Sequence, residues 1–259
     1  MTTRQNRILA MAAENSALGV SVLAKNLGVS LAVLRRDLDY LEDLGLVQQK
    51  EGFVLFRSMD DMNIRMTINH DIKQRIAKTA AEMVEEGETV MIESGSCCAL
   101  LAAELASQKR VTIITNSAFI AGHIRHAPYA NVILLGGEYQ NGSQVMVGTM
   151  TGKWSEIFMS EKFFIGADGF TEKYGFTGRD HLRTQTARDM ARRAQQVIVL
   201  TDSDTFFRQG TEGLVKTEHV AAVFTDDRLP PAKEAFLQNK NVAVHKVPAR
   251  CPAAGHPAP

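Results

Sequence analysis

The sequence predicts an α/β protein of two domains, a small winged helix-turn-helix domain followed by a larger domain with a mainly parallel sheet. The first 57 residues contain three helical stretches and a glycine-centred hairpin. Beyond residue 72, strand-like and helical segments alternate, which is typical of a parallel sheet covered on both faces. The 259 residues, 45% hydrophobic and 22% charged, have the composition of a globular chain.

The N-terminal elements follow from apolar spacing and turn residues. Helices are predicted over Thr3–Glu14 and Val20–Leu27, and Ser30 is a good N-cap for a third helix. That helix repeats Leu34, Leu38 and Leu41 at the 3.6-residue period and ends at Gly45. Two short extended runs, 46–50 and 53–56, then surround a Glu51-Gly52 turn and predict a wing.

The rest of the chain divides by composition. We assign residues 1–57 to the DNA-binding-like domain, the polar, Met- and Asp-rich segment 58–71 to a linker, 72–248 to the α/β domain, and 249–259 to a disordered tail. The predicted strands are 89–93, 111–115, 132–135, 163–167, 197–201, 220–225 and 242–247. The predicted helices between them include 72–84, 98–106, 181–194 and 231–238.

Composition narrows the class of function. No apolar run is long enough to cross a bilayer, and Met1 to Leu9 lacks the apolar region of a secretory signal, so we expect a cytoplasmic protein with no membrane partner. The three cysteines show neither disulfide nor zinc spacing, and we expect no metal and no cofactor. Adjacent Cys97 and Cys98 are expected to be buried rather than nucleophilic.

The third helix has the features of a DNA recognition helix. Its leucines form an apolar back, and Arg35 and Arg36 project from the middle, where one arginine can contact a guanine and the other a phosphate. The wing residue Lys50 can reach the backbone. Formal net charge is zero, and residues 1–57 hold seven Lys/Arg against six Asp/Glu, so binding must come from arrangement. The alternative is a solvated face in which the arginines pair with Asp37 and Asp39.

This segment resembles the DNA-binding domain of DeoR-family transcriptional regulators. The family pattern V-S-x-x-T-I-R-R-D-L-x-x-L-E-x-x-G-L is matched by Val29-Ser30, 35–38, Leu41-Glu42 and Gly45-Leu46. The resemblance implies DNA contacts by Ser30, Leu31, Val33, Arg35, Arg36 and Lys50. The chain departs from the family at Val33, where threonine is usual, and in the wing, where a basic double-glycine turn is usual.

Small polar residues follow the predicted strands of the second domain. Parallel strands bring their carboxyl ends to one edge, where hydroxyls and glycine N–H groups at helix N-termini favour an anion. Singly, each such segment is an ordinary turn; together they indicate a binding site. The candidate residues are Ser94, Gly95, Ser96, Thr115, Asn116, Ser117, Gly136, Gly137, Asp168 and Gly169.

The same series resembles the C-terminal domain of DeoR-family regulators, which is related in fold to ribose-5-phosphate isomerase and glucosamine-6-phosphate deaminase. The resemblance runs from about residue 72 to 226 and implies a phosphorylated sugar or polyol effector, with its phosphate near 94–96 and 115–117. An acidic residue and two lysines of the family are replaced here by Arg183, Ala187 and Thr205. We expect Arg179, His181 and Arg183 to be exposed, with compensating charge in the pocket as the alternative.

These patterns favour a transcriptional repressor of a sugar or polyol operon, with double-stranded operator DNA, a phosphorylated sugar or polyol and further copies of the chain as partners. A dimer or tetramer is expected because one recognition helix reads too few bases. The first alternative is an isomerase or deaminase using Asp168, although its partner groups are missing and no catalytic residue is assigned. The second is a C-terminal domain that only oligomerises.

Overall fold

The computed structural model describes residues 2–15, 17–43, 46–56 and 60–249. The chain divides into two compact units between Ile68 and Asn69. Gly45, the start of the predicted linker and the predicted tail beyond Ala249 lie outside the described residues. No described helix has the length and apolar character to span a membrane.

The N-terminal unit is a helix-turn-helix with a wing. Its helices are α1 (Thr3–Glu14), α2 (Val20–Leu27), α3 (Leu31–Asp43) and α4 (Met62–Thr67), and its strands are β1 (Leu18–Gly19), β2 (Val47–Lys50) and β3 (Phe53–Phe56). The strands form an antiparallel sheet in the order β1-β3-β2. Leu34, Leu38 and Leu41 of α3 are fully buried in one core with α1, α2 and the wing, as the 3.6-residue period predicted.

The segment predicted as a linker contains α4. Asp61 caps it, since its Oδ1 accepts a hydrogen bond of 2.9 Å from the Asn63 backbone N–H. Ile64 is fully buried in the N-terminal core, and Ile68 packs against the same cluster. Met62, at the start of the helix, is also fully buried. The polar composition of this segment concealed these apolar positions, and their burial holds the helix.

The C-terminal unit is an α/β domain. Its helices are α5 (His70–Ala81), α6 (Ser96–Gln108), α7 (Ala118–His123), α8 (Thr149–Ser155), α9 (His181–Ala191) and α10 (Pro231–Asn239). Its strands are β4 (Thr89–Ile92), β5 (Val111–Thr115), β6 (Ala130–Leu134), β7 (Glu138–Gln140), β8 (Val145–Val147), β9 (Lys162–Ile165), β10 (Gly169–Thr171), β11 (Gly175–Gly178), β12 (Gln196–Leu200), β13 (Glu212–Val215), β14 (Val220–Asp226) and β15 (Ala243–Val247).

Seven strands form one parallel sheet in the order β15-β14-β12-β9-β4-β5-β6. They correspond to the seven predicted strands. The sheet is buried on both faces: Phe163 and Ile165 pack in a cluster with Met190 of α9, whereas Phe164 between them points to the opposite face. This double burial explains the continuous apolar runs in the sequence.

Two small antiparallel sheets accompany the parallel one. Strands β7 and β8 form a hairpin, and β10, β11 and β13 form a three-stranded sheet. The hairpin is joined to the carboxyl end of β5, because Met146 N–H donates to the Asn116 carbonyl at 2.7 Å and Phe119 N–H donates to the Gln144 carbonyl at 3.2 Å. It therefore covers one side of the sheet edge at which the candidate residues lie.

Candidate functional site

The third helix presents its arginines to solvent. Arg35 and Arg36 are exposed, and Leu31 at the start of the helix is 46% exposed. Ser30 Oγ accepts a hydrogen bond of 3.3 Å from the Val33 N–H, as expected of an N-cap. The N-terminal half of α3 is thus ordered and open, the arrangement that lets a helix enter the major groove.

The neighbouring acids do not neutralise these arginines. Asp37 is buried and holds α3 to α1, because its carboxylate accepts hydrogen bonds from Arg4 Nε and, at 3.1 Å, from Gln5 Nε2. Within the part of the chain that the structure describes, Arg35 and Arg36 make no hydrogen bond or ion pair. The ion-paired alternative is therefore wrong in this structure, and both guanidinium groups are available to a ligand.

The wing is fixed to the recognition helix by a glutamine. The side-chain amide of Gln49 donates to Asp39 and to Glu42, each at 2.9 Å, and its backbone N–H donates to Glu42 at 2.8 Å. The following residue, Lys50, is exposed at the end of β2. Acidic residues of α3 thus position the wing, and the Lys50 side chain remains exposed to solvent.

The C-terminal sheet has a topological switch point between β4 and β9. From β4 the chain builds outward through β5 and β6, and then crosses to β9 on the other side of β4. In open α/β sheets, ligands bind outside the carboxyl ends of the strands where the order reverses. The segments that follow these two strands are Ser94–Ser96 and Gly166–Asp168. They lie close together, since a Cβ on Gly166 would be 3.7 Å from the Ser94 carbonyl oxygen.

The start of α6 offers two backbone donors at this point. Gly95 has φ 137° and ψ 153°, a conformation that glycine adopts easily, and it has no side chain with which to cap the helix. The N–H groups of Gly95 and Ser96 make no hydrogen bond with the described residues. Ser94 and Ser96 are buried on either side of Gly95, and the Ser94 hydroxyl donates to Glu93 at 2.5 Å. The N-terminus of a 13-residue helix carries partial positive charge and can bind an anion.

The polar segment after β5 is used differently. Thr115 Oγ1 accepts from the Ser117 N–H at 3.0 Å, and Ser117 Oγ caps α7 by accepting from the Ile120 N–H at 3.2 Å. Asn116 donates from Nδ2 to the Met146 carbonyl at 3.0 Å. Its buried Oδ1 has no partner among the described residues. This segment therefore offers an amide oxygen acceptor, while its two hydroxyl oxygens accept bonds within the turn.

Two candidate glycines are required by packing. A Cβ on Gly137 would lie 2.7 Å from the Val147 carbonyl oxygen, so the hairpin can fold back only over glycine. A Cβ on Gly169 would lie 2.6 Å from the Arg208 carbonyl oxygen. Gly136 contributes its carbonyl, which accepts from Thr151 Oγ1 at 2.9 Å.

Asp168 lies on the same edge and is half-buried. Its Oδ2 accepts from the Arg179 N–H at 3.0 Å, and its Oδ1 carries no hydrogen bond in the described structure. One carboxylate oxygen is thus fixed by a backbone hydrogen bond, and the other remains available as an acceptor.

The three departures from the family pattern are all turned inward. Ala187 is part of the core, and Thr205 Oγ1 accepts from Thr201 Oγ1 at 2.6 Å. The Arg183 side chain is only 12% exposed and lies 3.7 Å from Asp180, so its expected exposure is wrong. Its position, three residues before Thr186 and seven before Met190, places it on the buried stripe of α9. Arg179 and His181 are exposed, and His181 pairs with Glu212 at 2.6 Å.

Asp180 ties this part of the edge together. Its Oδ1 caps α9 by accepting from the Arg183 N–H at 2.8 Å and also accepts from Gln140 of the hairpin at 3.3 Å. Burial would raise the pKa of Asp180, but these hydrogen bonds and the Arg183 charge outweigh it and lower the pKa. Asp180 is therefore ionised and holds the arginine in place.

Two charged residues at this edge were missed by the sequence analysis. Lys73 and Glu93 are both buried, with 8% and 7% of their surface exposed. Asn69, at the start of the helix that carries Lys73, donates to Asp202 at 3.1 Å, which places that end of α5 beside the carboxyl end of β12. Lys73 shares the buried face of α5 with Ile76 and Ala77, and a lysine at such a spacing was the sequence signal that could have identified it.

The two described cysteines lie in the first turn of α6. Cys97 and Cys98 form no disulfide and are buried, and Cys98 Sγ lies 3.8 Å from the Phe164 carbonyl oxygen. The expectation of burial is confirmed for both.

A DNA-reading domain followed by an α/β domain with a polar switch point defines a ligand-responsive transcriptional regulator. Residues 4–58 match the DeoR-like helix-turn-helix domain, and residues 68–227 match the DeoR C-terminal sensor domain. The chain belongs to the DeoR family.

Known proteins of similar sequence are regulators. The HTH-type transcriptional regulator GolR of Listeria innocua is 29% identical, over 93% of this chain and 96% of that protein. A putative aga operon transcriptional repressor of Escherichia coli O157:H7 is 23% identical, over 93% and 92%. Among solved structures, ribose 5-phosphate isomerase A of Methanocaldococcus jannaschii is 20% identical with a TM-score of 0.39, over 53% of this chain and 55% of that one.

Proposed function

We propose that the protein represses a sugar or polyol utilisation operon and is controlled by a phosphorylated sugar, or a related metabolite, bound in its C-terminal domain. The observation that carries this proposal is the buried polar edge at the switch point, where the unbonded Ser96 N–H and the unsatisfied Asn116 amide oxygen follow neighbouring strands. Buried polar groups normally have partners, so their availability favours a polar ligand. The repressor named above supports the sign of regulation.

On the DNA side, the first turn of α3 and its two arginines enter the major groove of an operator. Ser30, Leu31 and Val33 lie at the base edges, Arg35 and Arg36 divide base and phosphate contacts, and Lys50 of the wing contacts the backbone. A symmetric homo-oligomer, a dimer or tetramer, reads repeated half-sites.

On the effector side, the phosphate binds at Ser94–Ser96, where the N–H groups of Gly95 and Ser96 make no hydrogen bond with the described residues. Lys73 and Arg183 are the mostly buried cations of this edge, and they offset the phosphate charge in place of the family lysines. Asn116 Oδ1, Asp168 Oδ1 and the Glu93 carboxylate are acceptors suited to sugar hydroxyls. The effector is thus an anion at one end and a polyol at the other.

The enzyme alternative has little support at this edge. Acid–base chemistry on a sugar phosphate needs a second positioned group beside Asp168. The position of the family lysine holds Thr205, whose hydroxyl is bonded to Thr201. The protein is proposed to be a regulator without catalytic activity.

Calorimetry against a panel of phosphorylated sugars and polyols, with inorganic phosphate alongside, tests the effector. Saturable binding without turnover supports the proposal, turnover would establish the enzyme, and no binding would leave an oligomerising module. In parallel, fluorescence anisotropy with DNA selected by the protein from random sequence tests the regulator. Failure to select a repeated motif would contradict operator recognition.

A further inference from the structure

An apolar stripe lies on the outer surface of the C-terminal domain. Met150, Trp154, Ile157 and Met159 are exposed to 57%, 47%, 65% and 91%, although they are large hydrophobic side chains within ten residues of one another. Single exposed apolar residues are ordinary, but a contiguous patch marks an interaction site. None of these residues belongs to the DNA-reading helix or to the effector edge.

Three residues of the stripe lie on a single helical face, and Met159 follows just beyond the helical turn. After α8 the chain continues the turn, with N–H groups of Glu156, Ile157 and Phe158 donating three residues back at 3.2, 3.2 and 3.3 Å. Met150, Trp154 and Ile157 therefore follow the i, i+4, i+7 spacing of one face.

The opposite face of α8 is anchored. Thr151, Gly152 and Ser155 are buried, and a Cβ on Gly152 would lie 3.0 Å from the Asp189 Cβ of α9. The helix cannot rotate to bury its apolar stripe against its own domain, so the stripe stays on the surface of a single chain.

We propose that this stripe is the surface through which two copies of the chain associate, with the two α8 helices antiparallel across a two-fold axis beside Trp154. In that arrangement Met150 of each copy faces Ile157 of the other, and Lys153 faces Glu156. The sequence of the stripe is therefore complementary to itself in both apolar character and charge, as an isologous interface requires. Lys153 makes no hydrogen bond or ion pair within the described chain, and Glu156 is half-exposed beside Arg193.

This inference rests on the symmetric oligomer proposed above and names its surface. A two-fold pair of chains matches the symmetry of an operator with two half-sites. The DNA and effector assays described above do not depend on which surface joins the copies. Failure of the α8 interface can therefore be distinguished from failure of the proposed regulatory function.

The first test uses the only tryptophan of the chain, which is Trp154. Sedimentation velocity and tryptophan emission are followed over one dilution series of the full-length protein. We expect the emission to shift to the red as the sedimenting mass falls, because dissociation exposes the indole. A mass that falls without any change in emission would overturn the proposal, as would a monomer at every concentration.

The second test uses charge reversal. Lys153→Glu and Glu156→Lys should each weaken self-association at least tenfold, because each places like charges opposite one another twice. An equimolar mixture of the two variants should associate as the wild type does, since both contacts then regain opposite charges. A mixture no better than its components would overturn the proposal.

A third variant addresses the apolar contact. Ile157→Lys should give a monomer that melts as the wild type does, whereas Phe207→Lys, at an equally exposed phenylalanine elsewhere, should leave the oligomer intact. An Ile157→Lys protein of wild-type mass would show that another surface is used and would overturn the assignment.

Discussion

At the scale of single residues, an acid inside the recognition helix determines what the neighbouring arginines can do. Asp37 is turned inward to Arg4 and Gln5, and it is this inward turn that leaves Arg35 and Arg36 without an intramolecular partner in the described structure. In the Arg-Arg-Asp sequence, the acid therefore packs α3 on α1, and the arginines remain exposed for the proposed contact with DNA.

The arginine pair gives the first prediction. Arg35→Ala and Arg36→Ala should each lower the affinity for selected DNA. Loss of a base contact should cost about 1–3 kcal/mol, and loss of a phosphate contact should reduce the slope of log affinity against log salt concentration by about one. Anisotropy titrations at several salt concentrations measure both effects. Arg125→Ala, at an exposed arginine of the other domain, is the control. If both variants bind as the wild type does at every salt concentration, α3 is not the recognition helix.

Ser96 gives the second prediction. Ser96→Asp should abolish binding of a phosphorylated sugar, because a carboxylate at the N-terminus of α6 takes the place of the anion and repels it. DNA binding should persist, since the recognition helix belongs to the other unit. Calorimetry and anisotropy on the same preparation provide the readout, with Ser107→Asp at the other end of α6 as the control. Unchanged effector affinity would place the ligand elsewhere.

At the scale of elements, Asp226 joins the ends of two neighbouring strands. It is fully buried at the end of β14, and its carboxylate accepts from the Ser203 N–H at 2.8 Å, from the Ser203 hydroxyl at 3.0 Å and from Arg228 Nε at 2.7 Å. Burial would raise the pKa of Asp226, but the bonds from Arg228 and Ser203 prevail and lower it. The ionised carboxylate is therefore part of what holds β12 beside β14.

The third prediction concerns acid stability. Because the pKa of Asp226 is lower in the folded than in the unfolded protein, its contribution is complete above the ordinary aspartate pKa and is lost as pH falls through the folded value. Asp226→Asn should reduce the free energy of unfolding at neutral pH by about 1–3 kcal/mol and flatten its decline in acid. Urea unfolding at neutral and acidic pH measures both. Asp227→Asn, at the exposed neighbour, should do neither; an equal effect there would refute the assignment.

The elements differ in how well the sequence predicted them. The three N-terminal helices and seven parallel strands were identified from their apolar patterns, which reflect burial that is strongest in the central strands β4, β9 and β12. Strands such as β7 and β8 have three residues each, too few to show alternation, and their place depends on contacts to Asn116 that are distant in sequence. Helix α4 was hidden for a similar reason, since its six residues include just two buried apolar ones, Met62 and Ile64.

The same limit applies to the site. The strand-end segments were predictable because parallel topology brings carboxyl ends together. Whether a serine is available or already used is set by local turns: Ser117 caps its own helix, whereas the Ser96 side chain makes no hydrogen bond with the described residues. The inward turn of Arg183 depends on Asp180 and Gln140, contributed by a separate hairpin. Periodicity does not encode such partners.

At the scale of the whole molecule, three separate surfaces divide the work. The exposed arginines of α3 form the proposed DNA contact, the carboxyl edge of the sheet is the proposed effector site, and the outer face of α8 is the proposed contact between copies. The effector edge and the α8 stripe are joined through rigid packing, because Thr151 on the buried side of α8 donates to Gly136 at that edge. A ligand at the edge is therefore positioned to bias the contact between copies.

The last prediction follows from this arrangement. If the effector releases DNA, linkage requires that DNA weaken effector binding by the same factor, because the two ligands share one coupling free energy. We expect a factor of about 5–150, the usual range for coupled sites. Anisotropy with and without saturating phosphorylated sugar gives one value, and calorimetry with and without selected DNA gives the other. Ser96→Asp should remove the response of DNA binding to the sugar while leaving its basal affinity unchanged, and Ile157→Lys should lower the basal affinity itself. A phosphorylated sugar that binds the protein and leaves its DNA affinity unaltered would show that the carboxyl edge is not the sensor.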